Sequence, residues 1–200
     1  MTRLGMAIDL KKCIGCNACT IACKAENATP PGVFWARVLE KEEGKYPTAK
    51  RVILPVLCNH CEDPACLRVC PSGATTQRAD GIILVDQDKC TGCKACVTAC
   101  PYDARFFLDK ITGYYGDELT PFEKVGYVKH QEGTVGKCTF CVHRVDQGLQ
   151  PSCVVTCPTS CRIFGDLDDP NSEVSKQLRV KHSFQLLPEL GTDPSVQYQS

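Results

Sequence analysis

Four cysteines spaced C-x2-C-x2-C-x3-C, in "CIGCNACTIAC" from Cys13 to Cys23, limit this chain more than any other feature. The spacing returns in "CTGCKACVTAC", Cys90 to Cys100, and the chain holds 17 cysteines among 200 residues. Disulfides would require an oxidising compartment. Thiols clustered three and four positions apart favour metal ligation over bridging. Iron–sulfur cubanes take four soft, anionic ligands around one compact core. A C-x2-C-x2-C loop can wrap three corners of a cube, with Gly15 and Gly92 allowing the close backbone turn. Structural zinc would instead use two separate C-x2-C pairs.

The runs are repeats. Asp9 to Cys23, "DLKKCIGCNACTIAC", matches Asp86 to Cys100, "DQDKCTGCKACVTAC", at a constant offset of 77 residues without a gap. A looser pair joins "CNHCEDPACLRVCPSGA", Cys58 to Ala74, with "CTFCVHRVDQGLQPSCVVTCPTS", Cys138 to Ser160. Both open C-x2-C and reach Pro-x-C-x3-C-Pro, the later copy with a longer middle. In chain order the first run resembles the third and the second resembles the fourth. Such alternation marks a duplicated unit whose halves have been interleaved.

The local pattern is α+β. "GMAID" (5–9), "GIILVD" (81–86) and "RVILPVLC" (51–58), the last interrupted by Pro55, read as strands. The x3 spacing puts each fourth cysteine about one helical turn beyond the third, so "CTIACKAEN" and "CVTACPYDA" open short helices. Proline after Cys70, Cys100 and Cys157 limits their continuation. Residues 24–50 and 109–136 read as loop-rich, the latter as an insertion. From Gly165 onward one short helix, capped by Asn171 or Ser172, is expected. The rest of that tail is expected to be irregular and to pack on a partner.

In two-cluster ferredoxins the cysteine after x3 ligates the other cluster. Applied here, that rule gives four [4Fe–4S] clusters. The first takes Cys13, Cys16, Cys19 and Cys157; the second takes Cys23, Cys138, Cys141 and Cys153. The third takes Cys58, Cys61, Cys66 and Cys100; the fourth takes Cys70, Cys90, Cys93 and Cys96. A rival pairing, first run with second and third with fourth, is also possible by arithmetic. The nested scheme expects two ferredoxin-like modules of the bacterial 2[4Fe-4S] kind, one inserted in the other. The first is discontinuous, 1–50 plus 110–165, the second is 51–109, and 166–200 is an extended C-terminal tail. Cys161 is left over and reads as a small buried residue. His60 and His143, inside the runs, read as residues behind the ligands or at the surface. Trp35, Phe106 and Phe107 read as core.

Formal charge is zero, but four thiolate-bound cubanes would add roughly −8. Lys12, Lys89 and Lys137 each precede the first cysteine of a run and could either offset this charge or simply be solvated. No apolar stretch of membrane-spanning length exists. The first dozen residues show no signal segment, so export alongside a partner is the expected route if the protein is extracytoplasmic.

With the four runs laid out, residues 6–169 resemble the four-cluster iron–sulfur (β) subunit of complex iron–sulfur molybdoenzymes, the dimethyl sulfoxide reductase superfamily. "CPYDARFF", "GKCTFCVHR" and "CPTSCRIFGDLDDP" support the match. "MAIDLKKCIGCNACTIACKAEN" is most similar to polysulfide, thiosulfate and arsenate respiratory reductase subunits. The resemblance implies an electron-transfer subunit without substrate catalysis of its own. Its partners would be a molybdopterin (molybdenum or tungsten) catalytic subunit and a quinone-linked membrane subunit or other carrier. It also implies that the Cys13 cluster faces the catalytic subunit and the Cys90 cluster lies at the distal end. Co-export would place the chain in the periplasm, with the cytoplasm as the alternative. A free-standing polyferredoxin is the rival reading. A radical enzyme would want C-x3-C-x2-C and a large barrel, and has neither here.

Overall fold

The computed structural model describes residues 2–116 and 118–200. β1 (Leu4–Asp9) is buried along nearly its whole length, as its apolar sequence requires. It leads through the first cysteine loop into α1 (Ala18–Asn27). No proline follows Cys23, so this helix runs for ten residues and ends at Ala28 in the left-handed region. The helices at the other three runs carry proline just beyond the fourth cysteine. They are single turns of four residues each: α2 (Ala65–Arg68), α3 (Ala95–Thr98) and, further on, α6 (Ser152–Val155).

β2 (Ala36–Glu43) and β3 (Lys50–Leu57) form an antiparallel hairpin from Ala36–Leu57 to Glu43–Lys50. Residues 24–50 are loop-rich as expected, but they also hold the end of α1 and the whole of β2. The distal half of β2, "EKEE", is exposed and charged, which hides the alternation that signals a strand. Pro55 stands opposite Val38 in this two-stranded ribbon, where a missing N–H can face outward. Two further ribbons pair β4 (Thr75–Gln77) with β5 (Ile83–Val85), and β6 (Phe106–Leu108) with β7 (Thr134–Gly136). Between β6 and β7 lies α4 (Pro121–Gly126), capped by a Thr120–Glu123 box. α5 (Val142–Val145) follows the Cys138 loop.

β8 (Arg162–Asp166) returns to pair antiparallel with β1. α7 (Glu173–Val180) packs across β8 and β1, with the Ser172 hydroxyl accepting the Ser175 N–H. β9 (Ser183–Phe184) and β10 (Val196–Gln199) complete a four-stranded sheet in the order β8-β1-β10-β9. The C-terminal segment is therefore not an irregular tail. β10 lies parallel to β1 in the chain's own sheet, with Val196, Tyr198 and Gln199 wholly buried. Parallel pairing between the two ends of a chain leaves no local mark in the sequence.

One core runs through the molecule. Met6, Ile8, Phe164, Val196 and Tyr198 of the sheet join Trp35, Leu57, Ile82, Phe140 and five of the cysteines. α1 packs on α6, and α2 packs on α3.

Candidate metal centres

All four C-x2-C loops share one backbone feature. The second residue between the first two cysteines has positive φ: Gly15 at 70°, His60 at 44°, Gly92 at 66° and Phe140 at 51°. This left-handed turn folds the loop back on itself. Glycine adopts it freely, whereas a side chain pays for it. At Phe140 the turned loop leaves the Phe140 N–H donating to Cys138 Sγ at 3.4 Å. His60 and Phe140, from different runs, lie face to face with ring centroids 3.7 Å apart. That contact offsets their conformational strain.

The sixteen expected residues gather in four groups. Cys13, Cys16, Cys19 and Cys157 line one cavity of about 300 Å³ of empty space. Cys58, Cys61, Cys66 and Cys100 line a second, of about 360 Å³. Cys70, Cys90, Cys93 and Cys96 line a third, of about 300 Å³. Cys23, Cys138, Cys141 and Cys153 are buried together. Burial first, then repulsion from Cys153 and Cys141, pushes the Cys23 thiol up to about 12. Burial, with Cys23, Cys58 and Cys153 nearby, pushes Cys138 up as well. The cysteine after x3 is displaced from its own loop in every run, because the helical turn carries it to the far side.

The crossing cysteines Cys70 and Cys157 behave differently from the buried ones. Burial pushes both up, but hydrogen-bond donors outweigh it and leave each lowered to about 7. The Thr75 N–H reaches Cys70 Sγ at 3.4 Å, and the Cys161 N–H reaches Cys157 Sγ at 3.4 Å. Cys161 itself is buried, its sulfur 3.4 Å from that of Cys157. His143 is a surface residue paired with Glu26 at 2.7 Å. His60 is fully buried. The Ile83 N–H donates to its Nδ1 at 3.0 Å, which leaves the ring proton on Nε2. Lys12 and Lys89 are exposed, so only Lys137 of the three lysines is interior, its Nζ on the Cys138 carbonyl at 2.6 Å. Trp35 is buried, while Phe106 and Phe107 are half-buried.

Three observations fit an iron–sulfur core in these cavities. First, among the described residues no three His, Cys, Asp or Glu side chains converge tightly enough for a single ion. Four thiols lining one cavity suit a multinuclear core instead. Second, buried donors near the cysteines find no protein acceptor: His60 Nε2, Arg105 Nε and Arg162 Nε. Buried donors seldom stay unpaired, and bridging sulfides are acceptors. Third, Arg105 and Arg162 are buried with no carboxylate partner among the described residues. An unpaired buried cation is costly. Both point at sulfur: Arg105 Nη2 lies 3.0 Å from Cys66 Sγ, and Arg162 Nη2 lies 3.5 Å from Cys19 Sγ. Sequence reasoning missed both arginines, although the repeated C-P-x3-R at Cys100 and Cys157 was there to find them.

Comparison with known proteins agrees. Two families described as 4Fe-4S dicluster domains match, one over residues 49–114 and 116–167 and the other over 12–74. The chain is 46% identical to the putative dimethyl sulfoxide reductase iron–sulfur subunit of Halobacterium salinarum, over 99% of this chain and 79% of that one. It is 40% identical to the arsenate respiratory reductase iron–sulfur subunit ArrB of Shewanella sp., covering 98% and 95%. It is 44% identical to a tetrathionate reductase subunit of Salmonella typhimurium, covering 98% and 72%. The site and these matches define an electron-transfer protein that carries four [4Fe–4S] clusters. The chain belongs to the family of four-cluster iron–sulfur (β) subunits of the dimethyl sulfoxide reductase superfamily, and acts as a subunit of an oxidoreductase complex.

Proposed function

We propose that the sixteen cysteines ligate four clusters in the nested sets. These are Cys13, Cys16, Cys19 with Cys157; Cys23 with Cys138, Cys141, Cys153; Cys58, Cys61, Cys66 with Cys100; and Cys70 with Cys90, Cys93, Cys96. The observation that supports this best is the lining of three separate cavities by three of these sets. The module of residues 51–109 is then inserted within the one formed by 1–50 and 110–165. Each bound cluster takes up and releases one electron at a time. The chain's own residues hold the thiolates, aim N–H groups at sulfur and keep water away from the buried ligands. Loading releases thiol protons. The raised Cys23 and Cys138 thiols ionise only as metal arrives.

The electrons pass between a molybdopterin catalytic subunit and a quinone-linked membrane subunit or another carrier, with the Cys13 cluster nearest the catalytic subunit. The relatives named as subunits of dimethyl sulfoxide, arsenate and tetrathionate reductases support this assembly. No helix among the described residues is long and apolar enough to cross a membrane. Co-export with the catalytic subunit to the periplasmic side is the corresponding location.

Iron and acid-labile sulfide should each approach about 16 per loaded chain. Replacing Cys23 with serine should alter the electron paramagnetic resonance (EPR) signal of the Cys138, Cys141, Cys153 cluster and spare that of the Cys13 set. A change confined to the Cys13 set would overturn the grouping. Co-purification of the loaded chain with a molybdopterin protein is expected; a chain that purifies alone and stable would favour a free carrier.

A further inference from the structure

Arg105 and Arg162 hold equivalent places in the two modules. Each is the fifth residue after the crossing cysteine of its module's second run, in "CPYDAR" (100–105) and "CPTSCR" (157–162). At the same place after Cys23 and Cys70 stand Ala28 and Thr75. The two arginines are 3% and 2% exposed. Each reaches towards two cysteine sets. Arg162 aims Nη2 at Cys19 Sγ, 3.5 Å away, and Nη1 at Cys153 Sγ, 4.0 Å away. Arg105 aims Nη2 at Cys66 Sγ, 3.0 Å away. Its Nη1 donates to Thr75 Oγ1 at 3.1 Å, and the Thr75 N–H donates to Cys70 Sγ at 3.4 Å.

We propose that each arginine is a fixed positive charge between the two clusters of its module and raises the reduction potential of both. This rests on the ligand sets proposed above. A guanidinium stays protonated at any pH that the protein tolerates, so its field is constant. An added electron makes a thiolate-bound core more negative. A buried cation a few Å away favours that state, with little screening by solvent. The electron enters and leaves without any proton moving on the arginine. Because the charge lies between two clusters, it raises both together and does not oppose the hop from one to the other. The junction between modules is built differently, from the His60–Phe140 stack.

Redox titration of the loaded complex, followed by EPR, tests this. Arg105→Met should lower the midpoint potentials of the Cys58 and Cys70 sets by at least a tenfold change in reduction equilibrium, about 59 mV for one electron. The Cys13 and Cys23 sets should change less than about threefold on the same scale. Arg162→Met should do the reverse, and Arg105→Lys and Arg162→Lys should recover most of the loss. No shift, or an equal shift in all four clusters, overturns the proposal. Wild-type protein labelled with 15N-arginine needs no substitution. Pulsed EPR should detect arginine nitrogen coupled to reduced clusters in both modules, and its absence overturns the proposal even if the Met variants fail to load. Iron far below about 16 per wild-type chain would strike the ligand assignment instead. Full iron with unmoved potentials strikes the arginines alone.

Discussion

Gly15 and Gly92 look interchangeable in the sequence, being the same residue of a repeated loop and sharing a φ near 70°. Their surroundings separate them. A Cβ at Gly92 would lie 2.2 Å from the Gly133 carbonyl oxygen, which is backbone and cannot swing aside. A Cβ at Gly15 would meet only the ends of the Glu40 and Ile53 side chains, at 3.0 and 3.1 Å. Both alanine variants bear the left-handed penalty, roughly 1–2 kcal/mol. Gly92→Ala should also displace its loop and lose one cluster, lowering iron to about 12 per chain, while Gly15→Ala keeps about 16. Iron assay of the two purified variants checks this. The same position in the other loops explains why two non-glycine residues tolerate positive φ: His60 and Phe140 stack on each other. Neither ring's role could be seen from its own run, because its partner lies 80 residues away in the chain.

At the scale of elements, helix length follows the proline rule closely. α1 lacks a proline after its fourth cysteine and runs ten residues, whereas α2, α3 and α6 stop after one turn. Residues 109–136 hold more order than their turn-rich sequence suggests. The Thr120 hydroxyl accepts the Glu123 N–H, and Glu123 accepts N–H groups from Thr120 and Tyr114. Those donors, the Thr120 hydroxyl and N–H foremost, hold the Glu123 carboxyl down at about 2. Its contribution is therefore complete above the ordinary carboxyl value of 4.5 and is lost as pH falls toward about 2. Thr120→Ala should cost the helix about 1 kcal/mol at neutral pH. Hydrogen exchange should show faster opening confined to 121–129, with all four cluster signals unchanged. T-P-x-E before an apolar run was a legible cap signal, overlooked among the surrounding turn residues.

The whole molecule is closed by its two ends. β1 lies between β8 and β10, so residues 4–9 are covered by segments more than 150 positions away. Tyr198 is fully buried, and its hydroxyl donates to the Pro55 carbonyl at 3.1 Å, tying the sheet to the β2–β3 hairpin. Tyr198→Ala leaves a cavity and should destabilise the fold by about 3–5 kcal/mol. Tyr198→Phe, which keeps the ring, should cost about 1 kcal/mol. Thermal unfolding of the loaded chain measures both, and equal losses would show that the ring's packing is not what matters. The arrangement also explains why a polar C-terminus resembled a partner-binding tail. Its burial comes from a parallel neighbour at the opposite end of the chain.

The ligand chemistry is legible in the residues alone, because four soft sulfurs at C-x2-C-x2-C-x3-C have few other uses. The sequence also set the element starts around each run, where glycine, proline and cysteine spacing act locally. Only the tertiary structure revealed the buried guanidiniums beside the sulfurs, the stacked rings between runs and the C-terminal strand in the central sheet. Each of these depends on residues distant in the chain meeting in a low-dielectric interior; the C-P-x3-R repeat marks the two arginines, but not the sulfurs that they reach.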